Sequence, residues 1–238
     1  MDTNSIKEMV AKEAVTTLVK SNMKLGLGTG STAIPAVRYI GKLISEGTLK
    51  NIIAVPTSFQ TTIVCEELGI PIFSLNSREI GGCLDLTIDG ADEVDTENRL
   101  IKGGGGALLL EKIVAYASSS YAIVLDETKT VNTLGNKFPV PVEVIPDARL
   151  TVSMALEKLG ASVKLREAVR KAGPVITDRG NLLLDILFKE TIDPIALESK
   201  INTIPGVVEN GFFTGPMDRK LRPMVFIGYN SGKVEQRD

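Results

Sequence analysis

The residues best suited to chemistry lie close together near the middle of the chain. They are two carboxylates three residues apart, a lysine, a run of glycines and a further carboxylate: Asp89, Asp92, Lys102, Gly103–Gly106 and Glu111. Glycines that open a helix let several backbone N–H groups point at one anion, and the positive end of the helix dipole adds to the attraction. Acids, an ammonium group and an anion cradle together indicate a site for a small anionic substrate.

Glu111 is the strongest candidate for proton transfer. It follows three leucines and shares a helical stripe with Leu108 and Ala115. A carboxylate on an apolar stripe is partly desolvated, which raises its pKa and suits it to accept and return a proton. Two plainer interpretations stay open at this point. Glu111 could be exposed and paired with a lysine, and Asp89 and Asp92 could simply cap a turn.

A second candidate binding element is the loop after the first predicted strand. This loop lies between a strand, Met23–Leu27, and a helix, Ala33–Leu43. Its backbone N–H groups and the hydroxyls of Thr29, Ser31 and Thr32 converge on one helix N-terminus, which is a phosphate-binding layout. The cluster of hydroxyl residues at the helix entrance favours a monophosphate.

A dinucleotide site is a weaker interpretation of the same loop. The third glycine of the G-x-G-x-x-G fingerprint falls on Ser31, and no acid follows the next strand, Ile52–Val55, to bind a ribose hydroxyl. A third interpretation is that the glycines only permit a tight turn. We expect no nicotinamide cofactor.

The composition excludes several classes of function. The 238 residues include no histidine, so the commonest general base and metal ligand are missing. Asp89, Asp92 and Glu93 could hold a hard cation through their oxygens. The adjacent lysine and glycines favour an anion instead, so we expect no metal. A net charge of −2 without a basic cluster argues against nucleic acid. No apolar run suggests a membrane span, and two cysteines without a signal peptide predict a cytoplasmic protein.

Alternating strands and helices in the first part of the chain predict an α/β fold with a doubly wound, mostly parallel, Rossmann-like sheet. Ligands of such sheets bind beyond the carboxyl ends of the strands, where Asp89, Asp92 and Lys129 are expected. The predicted strands are Met23–Leu27, Ile52–Val55, Ile70–Ser74, Leu84–Ile88 and Tyr121–Val124.

The pattern changes to β-α-β-β-α-β over residues 135–212, which predicts a second, smaller ferredoxin-like α+β domain. The apolar stretch Met224–Tyr229 is expected to return to the first sheet. Residues 1–134 plus 213–238 are therefore predicted to form the Rossmann-like domain. Within it, 216–223 is predicted to be a loop and 232–238 a polar tail.

Seven short motifs follow one another along the chain. They are Gly-Leu-Gly-Thr-Gly-Ser-Thr (26–32), Thr-Ser-Phe-Gln-Thr (57–61), Asp-Gly-Ala-Asp-Glu (89–93), Lys-Gly-Gly-Gly-Gly-Ala-Leu (102–108), Glu-Lys-Ile (111–113), Asp-Glu-Thr-Lys (126–129) and Ile-Pro-Gly-Val-Val-Glu-Asn-Gly (204–211). Taken together and in order, they resemble the ribose-5-phosphate isomerase type A family over essentially the whole chain. One departure is Leu110, where many members of that family carry Arg.

The resemblance implies cofactor-free interconversion of ribose 5-phosphate and ribulose 5-phosphate in the pentose phosphate pathway. It places the proton acceptor on Glu111 and the oxyanion stabilisers on Lys102 and the glycine amides. Either Asp89 or Asp92 would open the sugar ring. A homodimer or homotetramer is also expected. The implied substrate-binding residues are Thr29, Gly30, Ser31, Thr32, Asp89, Gly90, Ala91, Asp92, Lys102, Gly103, Gly104, Gly105 and Lys129.

Two other functions are compatible with parts of the sequence. A non-catalytic sugar-phosphate sensor would keep the phosphate loop but would not need Glu111, and no basic DNA-binding module is visible in the sequence. An amino-sugar phosphate isomerase of similar architecture generally uses a histidine, which this chain lacks.

Overall fold

The computed structural model describes residues 1–135, 137–215 and 221–238. This part of the chain divides into two compact units. The first unit comprises Met1–Ala91, Leu110–Lys129 and Gly215–Asp238, and the second comprises Asp92–Leu109 and Thr130–Thr214.

The helices are α1 Thr3–Leu18, α2 Ala33–Ser45, α3 Phe59–Glu67, α4 Leu108–Tyr116, α5 Arg149–Lys158 and α6 Pro194–Asn202. The strands are β1 Lys24–Leu27, β2 Ile53–Pro56, β3 Leu84–Asp89, β4 Glu93–Val94, β5 Leu100–Ile101, β6 Ser118–Asp126, β7 Val140–Val144, β8 Ala161–Leu165, β9 Leu182–Phe188, β10 Val207–Asn210, β11 Phe212–Phe213, β12 Met224–Gly228 and β13 Val234–Arg237.

The first unit is built on a sheet of six strands in the order β13-β12-β6-β3-β1-β2. Every neighbouring pair is parallel except β12 and β13, which are antiparallel. The predicted mostly parallel α/β sheet is therefore confirmed. Apolar side chains of β1, β3 and β6 form its core with residues from α1 and α2. Strands of a parallel sheet that is buried in this way have nearly continuous apolar sequences.

The parallel pairing brings the ends of three strands to one edge of this sheet. Leu27 pairs with Ile88, and Asp89 pairs with Ile123. The loop after β1, the acid at the end of β3 and the turn after β6 consequently share the carboxyl edge, where open α/β sheets bind their ligands.

The second unit contains the β-α-β-β-α-β segment that the sequence predicts. It consists of β7, α5, β8, β9, α6 and β10, with the strand order β10-β7-β9-β8. All three strand pairs are antiparallel. The predicted ferredoxin-like fold is confirmed, and its core is formed by buried valines, leucines and isoleucines of these strands and of the two helices.

The second unit also contains a small sheet that the sequence analysis missed, with the strand order β11-β5-β4. Each of its strands has two residues, which is too short for a period-2 pattern to be recognised. Because β5 pairs with both β4 and β11, residues 92–109 group with the second unit. The predicted boundaries had placed them in the Rossmann-like domain.

Two other local predictions were wrong. Ile70–Ser74 is not a strand, since only Ile72 forms an isolated bridge, with Ala54, and Pro71 has no N–H for a ladder. Residues 234–237 of the predicted polar tail form β13, whose mixed polar sequence suits an edge strand. The predicted loop 216–223 falls largely outside the described residues. Within the described chain, no helix has the length and apolar character needed to cross a membrane.

The two cysteines should differ sharply in reactivity. Burial raises the pKa of the Cys65 thiol to about 11, helped by the charge of Glu66, whereas Cys83 is exposed. Because the thiolate is the nucleophile, iodoacetamide at pH 8 should modify only Cys83 in the native protein and both residues in urea. Intact mass spectrometry measures this, and Cys83→Ser is the control. Equal native labelling of both cysteines would contradict the packing of α3.

Candidate active site

In the first unit, the buried carboxylate of Asp89 holds the backbone of two loops. Its Oδ1 accepts hydrogen bonds from the N–H of Thr29 at 3.1 Å and from the N–H of Gly90 at 2.7 Å. The residue is 0 % exposed. Gly28 permits this arrangement, because a Cβ at that position would lie 2.1 Å from Asp89 Oδ1. The close approach of β1 and β3 thus explains this glycine without a dinucleotide.

Thr29 is bound within the protein through its hydroxyl as well. Its Oγ1 lies 2.7 Å from Thr57 Oγ1, 2.7 Å from Ser58 Oγ and 3.3 Å from Thr61 Oγ1. Thr61 in turn donates to the Gly28 carbonyl at 2.8 Å. The Thr29 hydroxyl thus stabilises the loop that carries Ser31 and Thr32.

Ser31 and Thr32 remain at the N-terminus of α2. Ser31 is exposed, and Thr32 is the N-cap residue, whose side chain makes no capping hydrogen bond. The Nζ of Lys7, on α1, donates to Ser31 Oγ at 2.9 Å. Sequence reasoning missed Lys7, because a single lysine on the polar face of an amphipathic helix carries no signal of what it will face.

Lys129 lies at the same sheet edge. It ends a 3-10 turn, Glu127–Lys129, that follows β6 directly. The turn is fixed by Asp126, whose Oδ1 accepts from the N–H of Thr128 at 3.0 Å and also from its hydroxyl. The first unit therefore carries Lys7, Lys129 and the α2 N-terminus at the carboxyl side of its sheet.

Glu111 lies on the buried face of α4, as its stripe predicts. It is 5 % exposed, and Leu108, Val114 and Ala115 on the same face are buried. The charge of Glu111 also affects the pKa of Tyr121, on β6. Burial raises the pKa of Tyr121 well above its ordinary value, and the negative charges of Asp89 and Glu111 raise it further.

In the second unit, the β4–β5 hairpin places Asp92 opposite Lys102. Glu93 pairs with Ile101, and the N–H of Asp92 donates to the Ile101 carbonyl at 2.8 Å. The N–H of Lys102 donates to the carbonyl of Gly211 at 2.9 Å, next to β11. Residues ten positions apart in the sequence are thus brought side by side by the small sheet.

The glycine run of the second unit packs against Asp92. The N–H of Gly104 donates to Asp92 Oδ2 at 2.7 Å, and a Cβ on Gly104 would lie 2.5 Å from the other carboxylate oxygen. Lys102 is 2 % exposed, with its Nζ 5.5 Å from the centre of the Phe213 ring, an arrangement that favours a cation. Lys102 and the glycine amides are the groups predicted to stabilise the oxyanion, and the Asp92 carboxylate contacts the glycine run beside them.

Glu93 has a structural role. Its Oε2 accepts from the N–H of Gly135 at 2.7 Å, and its Oε1 accepts from the N–H of Phe138 at 2.8 Å. The Glu93 carboxylate, which the sequence offers as a possible cation ligand, is thus bound to backbone N–H groups. Among the described residues, no group of three or more Cys, Asp or Glu side chains is arranged to hold a metal ion.

The structure groups the predicted site residues by unit. The first unit holds Thr29, Gly30, Ser31, Thr32, Asp89, Gly90, Ala91, Glu111 and Lys129, and the second holds Asp92, Lys102, Gly103, Gly104 and Gly105. The N–H of Gly30 donates to the side chain of Gln60 at 3.0 Å. Gln60 belongs, with Thr57, Ser58 and Thr61, to the motif after β2, whose role in shaping the loop the sequence did not reveal.

A parallel sheet with basic groups, buried carboxylates and a helix N-terminus at its carboxyl edge is typical of α/β enzymes that act on small anionic substrates. Residues 53–232 match the family model of ribose 5-phosphate isomerase A (phosphoriboisomerase A). The ribose-5-phosphate isomerase A of Treponema denticola is 54% identical over 242 residues, covering 99% of each chain.

Solved structures agree. A D-ribose-5-phosphate isomerase in complex with phospho-erythronic acid has a TM-score of 0.91 at 40% identity, covering 100% of both chains. Ribose 5-phosphate isomerase A of Methanocaldococcus jannaschii has a TM-score of 0.88 at 43% identity, covering 98% of this chain and 99% of that one. The chain therefore belongs to the ribose 5-phosphate isomerase A family.

The packing of Gly28 against Asp89 can be tested by paired substitutions. Gly28→Ala inserts a methyl group into the carboxylate and should lower the free energy of unfolding by about 1–3 kcal/mol. Gly90→Ala is the matched control, because its Cβ would meet nothing nearer than Thr32 Cβ at 3.6 Å. Urea denaturation measures both. Equal stability of the two variants would show that β1 and β3 approach less closely than described.

Proposed function

We propose that this chain is the aldose–ketose isomerase that interconverts D-ribose 5-phosphate and D-ribulose 5-phosphate through an enediolate, in the non-oxidative branch of the pentose phosphate pathway. Membership of the family supports the reaction, and phospho-erythronic acid, bound by a relative of 40% identity, is a phosphorylated sugar acid. The observation that carries the proposal is the buried carboxylate of Glu111 in a chain without histidine.

Glu111 is assigned the transfer of the proton between the two carbons. Its carboxylate takes the proton from carbon 2 of the open-chain aldose, leaving an enediolate, and returns it to carbon 1, while the hydroxyl proton on oxygen 2 is lost and oxygen 1 gains one. The negative charge of the enediolate needs donors held in place beforehand. Lys102 and the glycine amides are assigned that role.

The two aspartates receive different roles. Asp89 is fully buried, and its Oδ1 is committed to the backbone of Thr29 and Gly90. Asp92 is partly exposed, with one oxygen on the Gly104 N–H. We therefore assign ring opening and hydroxyl orientation to Asp92, and to Asp89 the shaping of the phosphate loop. This choice separates alternatives that the sequence left open.

The phosphate is assigned to the first unit. The α2 N-terminus supplies N–H groups and a positive dipole end, and the hydroxyls of Ser31 and Thr32 supply further donors. Lys129 contributes a positive charge at the same sheet edge. Lys7 is added to the predicted set, because its ammonium group already donates to Ser31 Oγ.

Replacing the proposed base should remove turnover and leave the fold intact. Glu111→Gln keeps the shape of the side chain and removes its basicity, so kcat for ribose 5-phosphate should fall by about 10²- to 10⁴-fold. A direct assay of ribulose 5-phosphate formation measures this. Glu67→Gln, at an exposed position that ends α3, is the control and should retain full activity. A Glu111→Gln enzyme with more than about a tenth of wild-type kcat would identify another base.

The phosphate assignment predicts a change specific to phosphorylated substrate. A hydrogen bond to a charged group contributes about 1.5–3 kcal/mol, so Lys129→Ala and Lys7→Ala should each raise KM for ribose 5-phosphate by about ten- to a hundredfold. Unphosphorylated ribose should be a very poor substrate for wild type and little worse for the variants. Lys42→Ala, at an exposed position on α2, is the control. Equal damage to both sugars would contradict phosphate recognition by these lysines.

A further inference from the structure

The side chain of Arg166, which follows β8 in the second unit, makes four hydrogen bonds to two kinds of partner, a carboxylate and backbone carbonyls. Its Nε donates to Asp185 Oδ2 at 2.9 Å, and its Nη2 donates to Asp185 Oδ1. Its Nη1 donates to the carbonyls of Gly103 and Gly104, both at 3.0 Å. The guanidinium group therefore joins a carboxylate on β9 to the backbone of the glycine run.

The two carbonyls belong to the peptide groups that contain the N–H groups of Gly104 and Gly105. These are two of the glycine amides to which we assign the oxyanion. A peptide group is planar and trans, so its carbonyl and its N–H point in opposite directions. The carbonyl of Gly103 shares a plane with the N–H of Gly104, which donates to Asp92 Oδ2 at 2.7 Å. The carbonyl of Gly104 shares a plane with the N–H of Gly105. By holding the carbonyls, Arg166 sets the direction of both amides.

Other groups of the loop fix its conformation only in part. Gly103 has a φ of +97°, and its carbonyl also accepts from the N–H of Gly106 at 2.9 Å. Glycine gives the backbone more conformational freedom than any other residue, so a loop of four glycines needs restraint from outside. A guanidinium group can bind a carboxylate with one edge and carbonyls with its remaining donors, which an ammonium group cannot do in one fixed geometry.

We propose that Arg166, oriented by Asp185, is a positioning residue of the isomerase. It holds the Gly103–Gly104 and Gly104–Gly105 peptide groups so that Asp92 and the glycine amides are fixed for the reaction, and it acts through the loop without touching the sugar. The effect on rate rests on the proposed function, whereas the restraint on the loop does not.

The experiment compares Arg166→Lys with the exposed Arg170→Lys as control. Misplacement of reacting groups by about 1 Å can lower a rate by about 100-fold. Arg166→Lys should therefore lower kcat for ribose 5-phosphate by about 10- to 100-fold and change KM by less than about threefold. Hydrogen–deuterium exchange of residues 102–107 should speed up, because the Gly104 and Gly106 amides lose their restraint, while the strands of the ferredoxin-like sheet keep wild-type exchange.

A second variant, Asp185→Asn, keeps Arg166 and weakens only its orientation, so it should show the same changes to a smaller extent. Wild-type kcat and unchanged exchange at 102–107 in both variants would overturn the proposal. Faster exchange throughout residues 140–210 would overturn it too, since Arg166 would then merely stabilise the fold. If the wild type fails to isomerise ribose 5-phosphate, the proposed function fails, and the exchange of residues 102–107 still decides whether Arg166 restrains the loop.

Discussion

The first unit depends on one buried carboxylate, that of Asp89. Burying an ionised carboxylate is unfavourable unless hydrogen bonds compensate for the lost water. Here the N–H groups of Thr29 and Gly90 do so. That requirement explains why residue 28 is glycine and why the loop after β1 cannot move independently of β3. A rigid loop, in turn, keeps the N-terminus of α2 and its hydroxyls aimed at one point.

Asp92 and Glu93 of the Asp-Gly-Ala-Asp-Glu motif (89–93) act in the second unit as Asp89 does in the first. Asp92 accepts from the N–H of Gly104, and Glu93 accepts from the N–H of Gly135. Each carboxylate of the motif therefore binds the backbone of a glycine-containing segment. Charge-assisted hydrogen bonds of this kind are shorter and stronger than neutral ones. The motif resembles a cluster of catalytic acids, but its carboxylates largely fix flexible backbone. The acids to which we assign the chemistry are Asp92, within the motif, and Glu111, outside it.

The sequence predicts what is local. Apolar strands alternating with helices are visible in the chain itself, so the parallel sheet and the ferredoxin-like unit follow directly, as does the buried position of Glu111. What it could not predict depends on contacts between distant residues. Lys7 meets Ser31 only because α1 packs beside α2. The Thr29 hydroxyl is bound by residues that follow β2, and Arg166 reaches Asp185 through the antiparallel pairing of β8 and β9. Two-residue strands such as β4 carry too little pattern to be recognised.

We propose that a carboxylate of this chain, that of Glu111, moves a proton between carbons 1 and 2. Isomerisation of ribose 5-phosphate in D2O, carried through many turnovers and followed by proton NMR, tests it directly. A base that takes up a proton exchanges it with solvent during some turnovers, so deuterium should accumulate on carbon 2 of ribose 5-phosphate and carbon 1 of ribulose 5-phosphate. Sugars at equilibrium that carry no carbon-bound deuterium would contradict the account, because the hydrogen would then have moved without passing through a base.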